Sequence, residues 1–166
     1  FWALAQRSLD YAAAVHGALP DNVRAGLLAA YRRMAPFPEV SSVLARLKAK
    51  GRPLAILSNG DPDMLAEAVS AAGLDGVFDA VISVSEAKTF KPQFVVYQLS
   101  VDRLKVPAGG IGFISSNRWD VAGGMAFGYQ TFWLNRGGMP DEYPTMRPKH
   151  TIRTLEELVN LEGARA

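Results

Sequence analysis

The chain has 166 residues, of which 49% are hydrophobic and 20% are charged, and its formal net charge is +2. This length suits one domain with a hydrophobic core, or a core with a small appendage, and excludes two full-size domains. The absence of cysteine excludes disulfides, thiolate nucleophiles and thiolate metal sites. The small net charge and dispersed basic residues disfavour nucleic acid as a partner. No apolar run is long enough to cross a membrane, so we expect no membrane association and a cytoplasmic location.

The first 35 residues have the apolar periodicity of helices. Gly17 and Pro20 divide this stretch, so we predict two helices in it. The segment Pro36-Phe37-Pro38 then interrupts the pattern, because proline disfavours helix at the residue before it. A new structural unit is therefore predicted to begin near Pro38.

From Pro38 onward, predicted helices alternate with short apolar strands. The predicted strands are residues 54–57, 77–84, 111–114 and 131–134. Helices are predicted to begin at Pro38, Pro62, Pro92 and Trp119. Repeated units of this length predict an α/β fold with a Rossmann-like parallel sheet and helices on both faces. The polar, proline-rich residues 137–149 are predicted to form a long surface loop.

Ser58 and Asn59 follow the first predicted strand and precede a helix. Ligands bind beyond the carboxyl ends of the strands in such sheets, so these side chains and nearby backbone N–H groups could converge on an anion. Ser-Asn-Gly is also ordinary turn chemistry. The segment by itself leaves both interpretations open.

Lys91-Pro92 follows the second predicted strand and starts a predicted helix that carries Tyr97. A lysine at a helix N-terminus opposes the helix dipole, so we expect a buried carboxylate or an anionic ligand to compensate it. The alternative is a solvated surface lysine.

The third strand is followed by Ser115, Ser116 and Asn117, and Asp120 comes three residues later. A lone carboxylate among neutral neighbours suits a base that activates water, and it is a weak site for Mg²⁺. We therefore expect neither a metal ion nor a cofactor. Capping of the helix that follows is the simpler alternative, and both interpretations can hold together.

Three segments together resemble the second, third and fourth motifs of type II L-2-haloacid dehalogenases, in the haloacid dehalogenase superfamily. They are residues 54–60, Lys91-Pro92 with Tyr97, and residues 113–120. Residues 35–40 resemble the return from a helical cap to the core. The resemblance thus implies that residues 1–35 belong to a helical cap subdomain and residues 36–166 to an α/β core that lacks its first strand. It also implies a homodimer.

The activity implied by the resemblance is hydrolytic dehalogenation of short-chain L-2-haloacids to D-2-hydroxyacids, with a 2-haloacid and a halide ion as the bound small molecules. An aspartate displaces halide from C2, and water hydrolyses the resulting ester. The implied roles are halide binding by Asn59, substrate carboxylate binding by Ser58, pairing with the nucleophile by Lys91, activation of water by Asp120, orientation of that water by Ser115 and Asn117, support of the site by Tyr97, and apolar contact with substrate by Trp119 and Phe1.

The nucleophilic aspartate of that family belongs to an N-terminal segment, and no Asp-x-x-Gly-Thr stretch occurs in this chain. A sheet without a central strand leaves buried backbone groups unpaired. We therefore predict that residues 1–166 alone neither turn over substrate nor fold stably. Two alternatives remain: a Mg²⁺-dependent phosphatase of the same superfamily acting on a small phosphate ester, which Ser115 and Ser116 disfavour, and a non-catalytic truncated homologue that serves as a binding partner.

Overall fold

Helices and short strands alternate along most of the chain. The computed structural model describes residues 1–163, so the last three residues of the predicted core lie outside the described range. The elements are α1 (Trp2–His16), α2 (Asp21–Ala30), α3 (Val40–Ala49), β1 (Ala55–Ser58), α4 (Pro62–Ala71), β2 (Ala80–Ser83), α5 (Phe94–Leu104), β3 (Gly112–Ser115), α6 (Arg118–Phe127), β4 (Gln130–Leu134), β5 (His150–Ile152) and α7 (Glu156–Gly163). This order confirms the predicted α/β fold. No described helix is long and apolar enough to span a membrane.

The strands form two parallel sheets, whereas a single sheet was predicted. β1 pairs with β2 from Ala55 opposite Ala80 to Ser58 opposite Ser83. In the other sheet β4 lies between β3 and β5, and both pairings are parallel. β1 and β3 are therefore edge strands, and each presents one unpaired edge within the described residues.

The second strand is shorter than predicted because turns occupy both of its flanks. Gly76 has a φ of 70°, a left-handed conformation that favours glycine. The Asp79 carboxylate accepts a hydrogen bond from the backbone N–H of Leu54 at 2.8 Å. After Ser83 the chain enters a 3₁₀ turn over Val84–Ala87. Only Ala80–Ser83 is left to pair with β1.

An aromatic cluster joins α5 to the second sheet. Tyr97, Phe113 and Tyr129 are buried, and their ring centroids lie 5.1–5.7 Å apart. Glycine lets α5 and α6 approach closely, because a Cβ at Gly123 would lie 2.5 Å from Tyr97 Oη and 2.7 Å from Pro92 Cβ. This packing holds the first turns of α5 and α6 beside the ends of β1 and β3.

Candidate active site

A buried ion pair joins the two sheets. Lys91 Nζ donates a hydrogen bond to Asp120 Oδ2 at 2.7 Å and another to the Leu57 carbonyl oxygen, in β1, at 3.1 Å. The same ammonium lies 5.6 Å from the centroid of the Phe113 ring, in β3. The side chains of Lys91 and Asp120 are 10% and 2% exposed. Lys91 thus contacts one strand of each sheet.

Tyr97 completes this arrangement from α5. Its Oη donates to the other carboxylate oxygen of Asp120, Oδ1, at 2.9 Å. Burial and then the neighbouring Asp120 carboxylate raise the pKa of Tyr97, so the phenol remains a neutral donor. Both oxygens of the carboxylate are therefore engaged by donors, and its position is fixed from two sides.

The predicted reason for a carboxylate beside Lys91 needs a correction. The helix after Lys91 begins at Phe94 rather than Pro92, so Lys91 lies in the preceding loop and not in the first turn. The helix dipole acts mainly within that turn. Burial of the ammonium, rather than the dipole, is therefore the main reason why Lys91 requires the negative charge of Asp120.

The loop after β1 is bound to the loop before α5. The Asn59 side-chain oxygen accepts a hydrogen bond from the backbone N–H of Lys91 at 3.1 Å. Ser58 Oγ accepts from the backbone N–H of Gly60 at 3.1 Å, which is the turn chemistry considered above. The Ser83 hydroxyl donates to the Gly60 carbonyl at 2.7 Å. Asn59 is thus brought to Lys91, and its side-chain nitrogen is a donor suited to an anion.

The turn between β3 and α6 places Ser115, Asn117 and Trp119 next to Asp120 along the chain. Ser115 Oγ accepts from the backbone N–H of Asn117 at 3.2 Å. Asn117 is the N-cap residue of α6, but its side chain makes no capping hydrogen bond, which removes capping as the explanation for this amide. Trp119 is half-buried in the same turn as Asp120.

Phe1 lies beside the loop that follows β1. Its backbone nitrogen is 3.2 Å from Asp61 Oδ1, and its ring packs edge-on against Tyr31 with centroids 6.3 Å apart. The N–H of Trp2 also donates to Asp61, at 2.9 Å. The structure therefore brings Lys91, Tyr97, Asp120 and Asn59 into one network, and it places Phe1 next to the segment that carries Asn59.

Several residues that shape this region were given no role from the sequence. Tyr129 Oη donates to the Tyr97 carbonyl at 2.7 Å, and burial raises the pKa of Tyr129 to about 12. Ser100 Oγ lies 2.5 Å from Tyr129 Oη. The glycine pair inside α6 was a usable signal, because glycine in a helix interior is unfavourable unless close packing requires it. Within residues 1–163, no group of three or more His, Asp or Glu side chains could hold a metal ion.

The chain belongs to the haloacid dehalogenase-like hydrolases, whose family model matches residues 3–128. It is 40% identical to "(S)-2-haloacid dehalogenase 1" of Pseudomonas sp. (strain CBS-3), over 97% of this chain and 71% of that protein. It is 38% identical to "(S)-2-haloacid dehalogenase 4A" of Burkholderia cepacia, over 95% and 69%. The structure of L-2-haloacid dehalogenase from Xanthobacter autotrophicus aligns with a TM-score of 0.83 and 31% identity, over 99% of this chain and 76% of that one.

Proposed function

We propose that this protein takes part in the hydrolytic dehalogenation of short-chain L-2-haloacids to D-2-hydroxyacids. The observation that carries the proposal is the buried network in which Lys91 and Tyr97 both donate to Asp120 between β1 and β3. The relatives at 40% and 38% identity bear the name (S)-2-haloacid dehalogenase, which supports the same substrate class here.

The proposed nucleophile is an aspartate on a strand that pairs with the free edges of β1 and β3. Such a strand would bring a carboxylate close to Lys91 Nζ, which already bonds to Leu57 in β1. The carboxylate oxygen attacks C2, the carbon–halogen bond breaks, and its electron pair leaves with the halide. The product of this step is an ester of the aspartate. We propose that this residue belongs to a segment outside residues 1–166.

Hydrolysis of the ester is assigned to Asp120. Its carboxylate takes a proton from water, and the water oxygen attacks the ester carbonyl carbon. The bond between the carbonyl carbon and the ester oxygen then breaks, and that oxygen takes the proton held by Asp120 as the hydroxyacid leaves. The nucleophilic aspartate is restored when its carboxyl group loses a proton to solvent. The hydrogen bonds from Lys91 and Tyr97 hold the Asp120 carboxylate in a fixed position.

The remaining roles are proposals on the same basis. The halide would be received by Asn59, whose oxygen is bonded to the Lys91 backbone while its nitrogen is a donor. Ser58 would bind the substrate carboxylate, and Ser115 and Asn117 would orient the water. Trp119 and Phe1 would make apolar contacts with the substrate. A homodimer, a cytoplasmic location and the boundary between residues 1–35 and 36–166 stay predictions.

The proposed reaction requires no metal ion. The Lys91 ammonium lies 2.7 Å from the Asp120 carboxylate, and its positive charge disfavours a divalent cation at the same oxygens. Mg²⁺ also favours several oxygen ligands and phosphate. The donor set around Asp120 therefore favours dehalogenation over a Mg²⁺-dependent phosphatase reaction.

The test is halide release from L-2-chloropropionate in excess EDTA, with the protein that includes any residues encoded upstream of Phe1. We expect halide and D-lactate in equal amounts from the L substrate, and no turnover by residues 1–166 alone. Absence of halide release, with phosphatase activity appearing on addition of Mg²⁺, would contradict the proposal. Turnover by a sample shown by intact mass to contain only residues 1–166 would contradict the assigned position of the nucleophile.

A further inference from the structure

Arg118, the first residue of α6, is almost completely buried although it carries a positive charge. Its side chain is 2% exposed, and its Nε lies 2.6 Å from Asp141 Oδ1. Nη2 donates to the Tyr143 carbonyl at 2.7 Å and to the Met146 carbonyl at 2.5 Å. The guanidinium carbon also lies 5.6 and 5.5 Å from the ring centroids of Trp133 and Tyr143. One side chain therefore ties the start of α6 to residues 141–146.

This placement is unfavourable by two physical criteria. A cation in the first turn of a helix opposes the dipole. Within the described residues Arg118 Nη1 is buried and has no hydrogen-bond partner, which adds a desolvation cost. Asp141 offsets part of that cost, and the hydrogen bond from Arg118 lowers the pKa of the Asp141 carboxyl, so this carboxyl stays ionised at neutral pH. An apolar side chain could fill the same space with less penalty, since buried ion pairs contribute little net stability.

Arg118 lies close enough to Asp120 along α6 for its contacts to affect the position of that carboxylate. Arg118 is two residues before Asp120 in the same helical turn, and Asp120 depends on two bonds at 2.7 and 2.9 Å. Just before this turn, the Ser116 carbonyl accepts a hydrogen bond from Trp133 Nε1 at 3.2 Å. The start of α6 is thus held by contacts of Arg118 and Trp133, while Asp120 bonds to Lys91 and Tyr97.

We infer that Arg118, anchored by Asp141, is a positioning residue that sets the first turn of α6 and thereby the aim of the Asp120 carboxylate. The inference rests on the proposed function, in which Asp120 activates water for hydrolysis of the ester. Arg118 touches neither substrate nor reacting atoms in this scheme. Its loss should therefore slow ester hydrolysis more than the preceding halide displacement, which does not use Asp120 as a base.

The test uses the dehalogenase with its upstream residues and separates the two chemical steps. Halide release in a single turnover reports displacement, and intact mass spectrometry on quenched samples reports the ester. For Arg118→Ala we expect hydrolysis slowed by about 10-fold to 100-fold, the loss typical of a misplaced catalytic group, with halide release largely kept and ester accumulating. Arg118→Lys should lie between, because an ammonium cannot span Asp141 and both carbonyls.

Asp141→Asn is the second variant, since Asp141 is 30% exposed and an amide at this position keeps an acceptor oxygen for Arg118 while removing the negative charge. It should slow hydrolysis in the same direction by a smaller factor. Arg103→Ala is the control, because Arg103 lies at the end of α5 and pairs at the surface with Glu86, with side chains that are 49% and 43% exposed. It should leave both steps unchanged.

An unchanged hydrolysis rate in Arg118→Ala would overturn the inference, as would a parallel fall of displacement and hydrolysis. If Arg118→Ala does not fold, an unchanged rate in Asp141→Asn overturns it. A parent protein that releases no halide rejects the proposed function and this inference with it, and that result is recognised before any variant is compared.

Discussion

The N-terminal helices and the α/β part of the chain differ in how they bury their side chains. α1 contains no buried residue and α2 contains only Leu28, whereas α6 buries five, including Arg118 and Asp120. Tyr11 in α1 is 74% exposed. Apolar periodicity is present in both regions, so it indicates a helix without indicating how much of its apolar face is covered. The chemistry proposed here lies in the region where packing fixes each side chain.

Polar contacts link the two regions near the surface. Arg32, just after α2, pairs with Asp63 and Glu67 of α4 at 2.9 and 2.8 Å, and its guanidinium lies 4.9 Å from the Trp2 ring centroid. Exposed ion pairs contribute little to stability. The same type of substitution should therefore have a large effect near Asp120 and a small one near Arg32.

The largest effect is expected for Lys91→Met in the protein that includes its upstream residues. This change leaves the buried Asp120 carboxylate without its cation, which typically costs about 3–5 kcal/mol of unfolding free energy. Urea unfolding measures the loss, and halide release should fall with it. Lys48→Met is the matched control, since Lys48 and Asp79 form a pair that is 41% and 44% exposed. Equal losses in the two variants would contradict the difference between buried and exposed pairs.

Replacing glycine by alanine should change the free energy of unfolding in opposite directions in the two regions. Gly123→Ala puts a methyl group 2.5 Å from Tyr97 Oη, so α5 and α6 must separate, and we expect a loss of about 1–3 kcal/mol. Gly26→Ala in α2 meets nothing within 4 Å and should stabilise its helix by about 0.5–1 kcal/mol. Urea unfolding of both variants checks the pair. Similar destabilisation by both would show that α2 is as closely packed as α6.

Much of the fold was predictable because the strand–helix alternation is a local property of the sequence. The strand predicted at residues 54–57 is observed at Ala55–Ser58, and the helix predicted from Trp119 is observed from Arg118. β5 was not predicted, because its three residues are too few to show alternation. The division into two sheets depends on which strands pair with each other. Strand pairing is a tertiary property that the local sequence pattern does not indicate.

For the candidate site, the sequence indicated which segments meet but not how they bind one another. Lys91 and Asp120 were identified separately, each from the strand it follows, and their direct bond at 2.7 Å is a tertiary contact that no local pattern indicates. Arg118 belongs to one of the three motifs, but the sequence assigned it no role. Its partner Asp141 lies 23 residues away in the predicted surface loop. A long-range partner in irregular structure leaves no periodic signal.

The smallest effect on stability is expected for Arg32→Ala, which breaks the pairs with Asp63 and Glu67. These pairs are solvent-screened, so the urea midpoint should change little, and added salt should reduce any difference further. A local measurement is more sensitive: amide hydrogen exchange in α2 should become faster at low salt.

Arg24→Ala is the control, because its partner Asp10 lies in α1 and the pair makes no link to α4. Faster amide exchange in Arg32→Ala but not in Arg24→Ala would show that the ion pairs of Arg32 link the two regions. Equal exchange in both variants would mean that apolar contacts hold the N-terminal helices in place, and the contrast between the two regions would then lose its basis.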